Sequence, residues 1–243
     1  MMSGGPGREE GPRSGSEQPL RILVLEHEPQ APAGLFGDWA DMRGHRVRTL
    51  RVPEIERWPA ADDADVIVSL GSDGSVHASA DPWIARELAF LRGAHDAGVP
   101  VFGICFGAQA LARALGGTVS RARALSPHWT LVHSPEPELI PPGPWFRWHE
   151  DVFTVPPGAR DLGSEAGVVL AFAQGPSVGV QFHPEVTGEI AKGWIEGARR
   201  KLAESSIDEQ DLRREIDSRA AGAPERASDL FDRIARLWVR RTP

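Results

Sequence analysis

The stretch Val99-Pro-Val-Phe-Gly-Ile-Cys-Phe-Gly-Ala-Gln109 constrains the fold of this chain more than any other segment. A short apolar run, suited to a buried strand, leads straight into Gly103-Ile104-Cys105-Phe106-Gly107. A helix-forming segment then runs from Phe106 to Leu115 and is closed by Gly116-Gly117. The pattern is the thiol counterpart of the G-x-S-x-G turn that presents a nucleophile between a strand and a helix. A side chain on so tight a turn sits on strained backbone, and its close neighbours must lack Cβ to make room. The helix start also places Cys105 beside free N–H groups and the positive end of the helix dipole, which favours a thiolate. A free cysteine is also commonly a buried small hydrophobe. Glycines on both sides of it, at a strand–helix junction, weigh against that here.

The surrounding pattern alternates strands and helices. Leu20–Glu26, Arg46–Val52, Asp65–Leu70 and Val99–Gly103 read as strands, with helices over Gly34–Met42 and from Asp81-Pro82 to about Gly98. The second helix is expected to turn Trp83, Leu88, Phe90 and Leu91 inward. Such alternation implies βαβ units and a mainly parallel sheet, an α/β fold. Thr118–Val155 reads as strand and loop rich in proline. Val168–Ala173 and Ser177–Phe182 read as a hairpin across Gln174-Gly175-Pro176. Beyond Pro184 the chain is expected to be helical over Gly188–Glu204, Asp208–Ala221 and Ala227–Arg240, with Leu230, Ile234, Leu237 and Trp238 forming one apolar face. The expected organisation is a disordered leader at 1–19, an α/β domain at 20–190, and a helical extension at 191–243 packed on that domain.

Composition narrows the function. The chain has 243 residues, with 27 Lys+Arg against 34 Asp+Glu. That acidic balance argues against a nucleic-acid partner, whose footprint is basic. One cysteine forbids an intramolecular disulfide, and no apolar run approaches a membrane span. The first residues lack a signal-peptide core, so a cytoplasmic, reducing location is expected. Only Lys192 and Lys201 could serve lysine chemistry, no G-x-x-x-x-G-K-[ST] loop occurs, and no H-E-x-x-H or C-x-x-C cluster suggests a metal. No cofactor is expected.

A thiol nucleophile needs a base, and the base an orienting group. Among eight histidines, His183 ends the strand-like Val178-Gly-Val-Gln-Phe-His183 and is followed by Pro184 and Glu185. A carboxylate on one ring nitrogen would set the tautomer and leave the other nitrogen for the thiol. A strand-end histidine beside a solvated glutamate is the plainer alternative. Cys105 and His183 both fall at C-terminal strand ends, the edge where open α/β sheets place their sites.

Taken together, GICFGAQ and VQFHPEV resemble the class I glutamine amidotransferase family and its Cys-His-Glu triad. The likeness extends to Ser69–Ser75 and to Trp148-His149-Glu150-Asp151, and covers about residues 20–195. It is nearest to stand-alone proteins similar to the amidotransferase portion of GMP synthase. The resemblance implies an open, mostly parallel, flavodoxin-like sheet flanked by helices. It implies Cys105 as nucleophile, His183 as proton carrier, Glu185 as its partner, and the backbone amides of Gly71 and Phe106 as an oxyanion hole. Gln109, Asp73, Trp148 and His149 would hold the substrate. The implied substrate is glutamine or another γ-glutamyl amide, with ammonia passed to a synthetase or other acceptor enzyme. A stand-alone γ-glutamyl peptidase, or a non-catalytic binding module on the same fold, are the competing expectations.

Two departures stand out. Relatives often carry Gly-Gly-Pro where this chain has Leu70-Gly71-Ser72, which implies a less rigid oxyanion loop. Ser126-Pro-His-Trp129 stands where Glu-x-Gly-Trp is frequent, so a structural glutamate is missing.

Overall fold

Strand and helix alternate from the first described residues. The computed structural model describes residues 18–77, 81–122, 125 and 127–239. Residues 1–17 of the expected leader, Ser126 of the departing loop and Arg240 of the last expected helix lie outside them. The first half runs β1 (Arg21–Glu26), α1 (Gly34–Met42), β2 (Arg46–Arg51), β3 (Val66–Ser69), α2 (Pro82–Asp96), β4 (Val101–Ile104) and α3 (Phe106–Ala114). Four short strands follow: β5 (Val119–Arg121), β6 (His128–Thr130), β7 (Trp145–Arg147) and β8 (Asp151–Phe153). The chain then forms β9 (Arg160–Glu165), β10 (Val168–Gln174), β11 (Ser177–Val180), α4 (Gly188–Glu204), α5 (Glu209–Ala220) and α6 (Ala223–Val239).

Among the described residues, seven strands form one sheet in the order β2-β1-β3-β4-β11-β10-β9. The β2-to-β11 side is parallel, and the β11-β10-β9 edge is antiparallel. The expected hairpin over Val168–Phe182 is that antiparallel turn. Alternate residues of each strand face opposite layers. Ile22, Val24, Val66 and Val68 join Phe36 and Trp39 of α1 and Phe231 and Trp238 of α6 in one core. Leu23, Leu25 and Ile67 join Ile84 and Leu91 of α2 and Leu111 of α3 in the other. The apolar face of α6 is therefore covered: Leu230 and Ile234 are fully buried, and Leu237 packs at the edge. Helices α4 and α5 form a third cluster with Phe146 and Val186, which sets α4 beside the strand ends. No helix among the described residues is long and apolar enough to cross a membrane.

One expectation shifts. The inward face of α2 is Ile84, Glu87, Leu91 and Ala94, with Trp83, Leu88 and Phe90 only partly buried. A carboxylate takes an interior position because it has two buried partners. Glu87 accepts from Ser69 Oγ at 2.7 Å and pairs with His27 Nε2 at 2.9 Å.

Candidate active site

Four adjacent parallel strands, β1, β3, β4 and β11, bring their C-terminal ends together. Just beyond those ends stand His27, Gly71, Cys105 and His183. This is the sheet edge where an open α/β fold leaves a crevice.

Cys105 caps α3 with φ 52° and ψ −105°. That is a left-handed, strained backbone for a residue with a side chain. Its own N–H is tied to the Val180 carbonyl at 2.8 Å, which locks the turn onto β11. The glycines on either side are demanded by close contact. A Cβ at Gly107 would lie 2.0 Å from the Ser69 carbonyl oxygen, and one at Gly103 would lie 2.5 Å from the Gly107 carbonyl oxygen.

His183 is held from three directions. Its N–H donates to the Phe146 carbonyl at 2.8 Å, its Nδ1 meets Glu185 Oε1 at 2.7 Å, and its Nε2 lies 3.3 Å from the Trp148 carbonyl. The same Trp148 carbonyl is 3.6 Å from Cys105 Sγ. Burial opposes charge on the ring, but the Glu185 carboxylate and the Cys105 sulfur outweigh it and hold the His183 pKa well above the ordinary histidine value. Both ring nitrogens face acceptors, which fits a charged imidazolium. Glu185 is itself buried, and its backbone carbonyl accepts from Leu35 N–H at 2.8 Å, anchoring the His-Pro-Glu turn to α1.

Gly71 completes the cluster. An added Cβ there would sit 3.2 Å from the His183 ring and 4.0 Å from Cys105 Cβ. The preceding Leu70 carbonyl accepts from Gly107 N–H at 3.1 Å. A trans peptide turns the Gly71 N–H the opposite way from that carbonyl. The Phe106 amide occupies the first position of α3, where the helix itself supplies no acceptor.

The loop without proline is not left slack. His27 Nδ1 meets the Gly71 carbonyl at 3.1 Å, and Glu28 Oε1 accepts from both Ser72 Oγ and the Asp73 amide at 2.7 Å. The end of β1 thus replaces with hydrogen bonds the stiffness a proline would give. The His27 and Glu87 side chains are essentially inaccessible to solvent. The Gly71 carbonyl on one ring nitrogen and the Glu87 carboxyl group on the other fix the orientation of the His27 ring. Sequence reasoning passed over His27, Glu28 and Glu87. The only signal for them was a charged residue on the apolar stripe of α2.

The remaining expected residues lie around a small polar hollow of about 50 Å³ next to Cys105. Asp73, Gln109, Trp148 and His149 line it together with Arg121, Glu150 and Lys201. Gln109 is buried and its Nε2 donates to the Asp151 carbonyl at 3.0 Å, so it braces the Trp148–Asp151 loop. Asp73 is raised in pKa by burial and by the carboxylate of Glu28, against the pull of Lys201. The His149 ring is fully engaged: Nδ1 donates to the Asp151 carbonyl at 3.0 Å and Nε2 accepts from Arg147 Nη2 at 3.0 Å. Burial, then the positive Arg147 and His183, push its pKa down to about 3. A neutral ring so occupied has no atom spare for a ligand.

The model of the family described as glutamine amidotransferase class-I matches residues 42–195. The chain belongs to the class I glutamine amidotransferase family. A GMP synthase (glutamine-hydrolysing) from Mycobacterium marinum is 33% identical over 170 residues, covering 62% of this chain and 31% of that protein. The chain spans about a third of the length of the curated relatives it matches. Among solved structures, a glutamine amidotransferase from Thermotoga maritima superimposes with a TM-score of 0.79 at 24% identity, over 90% of this chain and 99% of that one, a likeness of fold. One from Methylobacillus flagellatus gives 0.79 at 25% identity, over 90% and 94%. The amidotransferase fold therefore includes the mostly parallel sheet and the flanking helices seen here.

Proposed function

We propose that this chain hydrolyses the side-chain amide of glutamine through a Cys105-His183-Glu185 triad. The observation that carries the reading is Cys105 at positive φ on the start of α3, with the His183–Glu185 pair and Gly71 gathered around it. The Cys105 thiolate attacks the amide carbon, and the resulting oxyanion is held by the N–H groups of Gly71 and Phe106. His183 gives its Nε2 proton to the leaving nitrogen as the C–N bond breaks, releasing ammonia and leaving a γ-glutamyl thioester. Water, deprotonated by the same nitrogen, then attacks the thioester and frees glutamate and the sulfur. Glu185 orients the ring and balances its charge.

The small hollow takes the amino-acid head. Its mixed charges (Asp73, Glu150, Lys201, Arg121) suit a zwitterion. Gln109 and the Trp148-His149 backbone shape it, and the His149 side chain acts only by bracing that loop. Residues 20–190 are read as the catalytic unit with 191–243 packed on it. Its ammonia goes to a separate synthetase or other acceptor enzyme, a reading supported by the likeness to about a third of the length of a GMP synthase.

Release of ammonia and glutamate from glutamine tests this. Wild type should turn over, and Cys105→Ala should lose at least about a thousandfold. Full activity in Cys105→Ala would remove the nucleophile assignment.

A further inference from the structure

Two hollows meet at Cys105, and they differ nearly tenfold in size. The polar one, about 50 Å³, is the proposed head site. The other, about 470 Å³, opens on the His183 side and runs along α4. In the proposed reaction that is the side of the leaving nitrogen. Ammonia, close in size to a water molecule of roughly 30 Å³, uses little of it.

The walls of the larger hollow are built. Trp194 lies 4.7 Å from the His183 ring, edge to face, and its Nε1–H donates to the Gln30 carbonyl at 2.7 Å. Trp148 stands 6.0 Å from it. Gly193 and Gly197, one helical turn apart in α4, line the same space, and a Cβ at either would meet nothing within 4 Å. Glycine inside a helix costs about 1 kcal/mol relative to alanine. Gly103, Gly107 and Gly179 are required by contacts of 2.0 to 2.5 Å, whereas these two serve no contact within the chain. They keep room open beside the reacting atoms. Two of the charged groups lining it are engaged: Glu28 with Ser72, the Asp73 amide and Gln30, and Lys201 with Glu150. The lining left for a ligand combines the indoles of Trp148 and Trp194 and the glycines of α4 with polar groups that include Asp73 and Arg200.

We propose that this hollow is a leaving-group subsite for γ-glutamyl amides whose nitrogen carries an apolar, ring-bearing substituent. The inference rests on the thioester mechanism above and names a class of substituted amine that the same mechanism releases besides ammonia. His183 Nε2 protonates the substituted nitrogen as its bond to the acyl carbon breaks, and the free amine departs along α4. Water then cleaves the Cys105 thioester to glutamate, so water is the only co-reactant.

The test compares L-glutamine with γ-L-glutamyl-benzylamide, an unactivated amide, in wild type and in Gly197→Leu. Wild type should hydrolyse the benzylamide with a kcat/KM at least equal to that for glutamine. Gly197→Leu should lower kcat/KM for the benzylamide by about tenfold or more while glutamine stays within about threefold. Its thermal midpoint should not fall, because leucine is the better helix former. Turnover of glutamine with none of the benzylamide would overturn the subsite alone, as would an equal loss of both substrates in Gly197→Leu. Turnover of neither by wild type, with no acylation of Cys105, would overturn the triad reading beneath it as well.

Discussion

The Gly107 amide donates to the Leu70 carbonyl at 3.1 Å, so the helix that presents Cys105 also sets the peptide ending in the Gly71 amide. Cys105 and the loop facing it are registered by this hydrogen bond rather than by two independent folds. The contact is possible only because Gly107 has no side chain within 2.0 Å of the Ser69 oxygen. Gly107→Ala should therefore separate α3 from β3. We expect a loss of at least about 2 kcal/mol, read from the urea midpoint, together with a fall in kcat. A stable, active Gly107→Ala protein would show that the close approach is dispensable.

The Ser69–Glu87–His27–Gly71 chain of contacts offers a second test. His27→Phe strands a buried carboxylate and frees the Gly71 carbonyl, which should cost about 3 kcal/mol. Adding Glu87→Leu should recover part of that loss, giving a coupling of at least about 1 kcal/mol in a double-mutant cycle. In folded protein, kcat should fall about tenfold while KM moves less than about twofold, the signature of an interaction that matters in the transition state. Additive losses, or a change confined to KM, would count against a positioning role.

Glu185 is the main group that raises the His183 pKa against burial. A pKa raised in the folded state stabilises the protein below the ordinary histidine value, and that contribution is lost as pH rises through the raised value. Glu185→Gln should move the His183 titration to lower pH in an NMR experiment and reduce kcat about a hundredfold or more. An unmoved titration would mean that another group charges the ring.

His149 works in the opposite direction, its pKa depressed from 6.5 to about 3. The unfolded chain binds a proton there that the folded one refuses, so stability falls as pH drops from about 6.5 toward 3. His149→Gln should flatten the slope of unfolding free energy against pH in that window. An unchanged slope would show that the ring takes up its proton without penalty.

The layout of the candidate site was legible because local chemistry announces it. Glycines around Cys105 are forced by a turn only they can make, and Pro184 places Glu185 where it reaches the His183 ring. Helix and strand limits such as Gly34–Met42 and Gly188–Glu204 followed from apolar period and punctuation. What stayed hidden depends on distant pairing. Glu87 takes its interior place only when Ser69 and His27 are brought to it across the sheet, and the α2 face shifts with it. The loss of proline at Ser72 suggested slackness because Glu28, which ties Ser72, lies on another strand end. The sequence does not single out Trp194, and only the fold of α4 against the strand ends sets it on His183.

The most direct test of the central claim is the intact mass of the protein after incubation with 6-diazo-5-oxo-L-norleucine. This glutamine analogue loses nitrogen when a thiolate attacks it. The account predicts a single adduct, mapped to Cys105, slowed by glutamine and absent from Cys105→Ser. No adduct on the wild-type chain, or one that persists in Cys105→Ser, would contradict it.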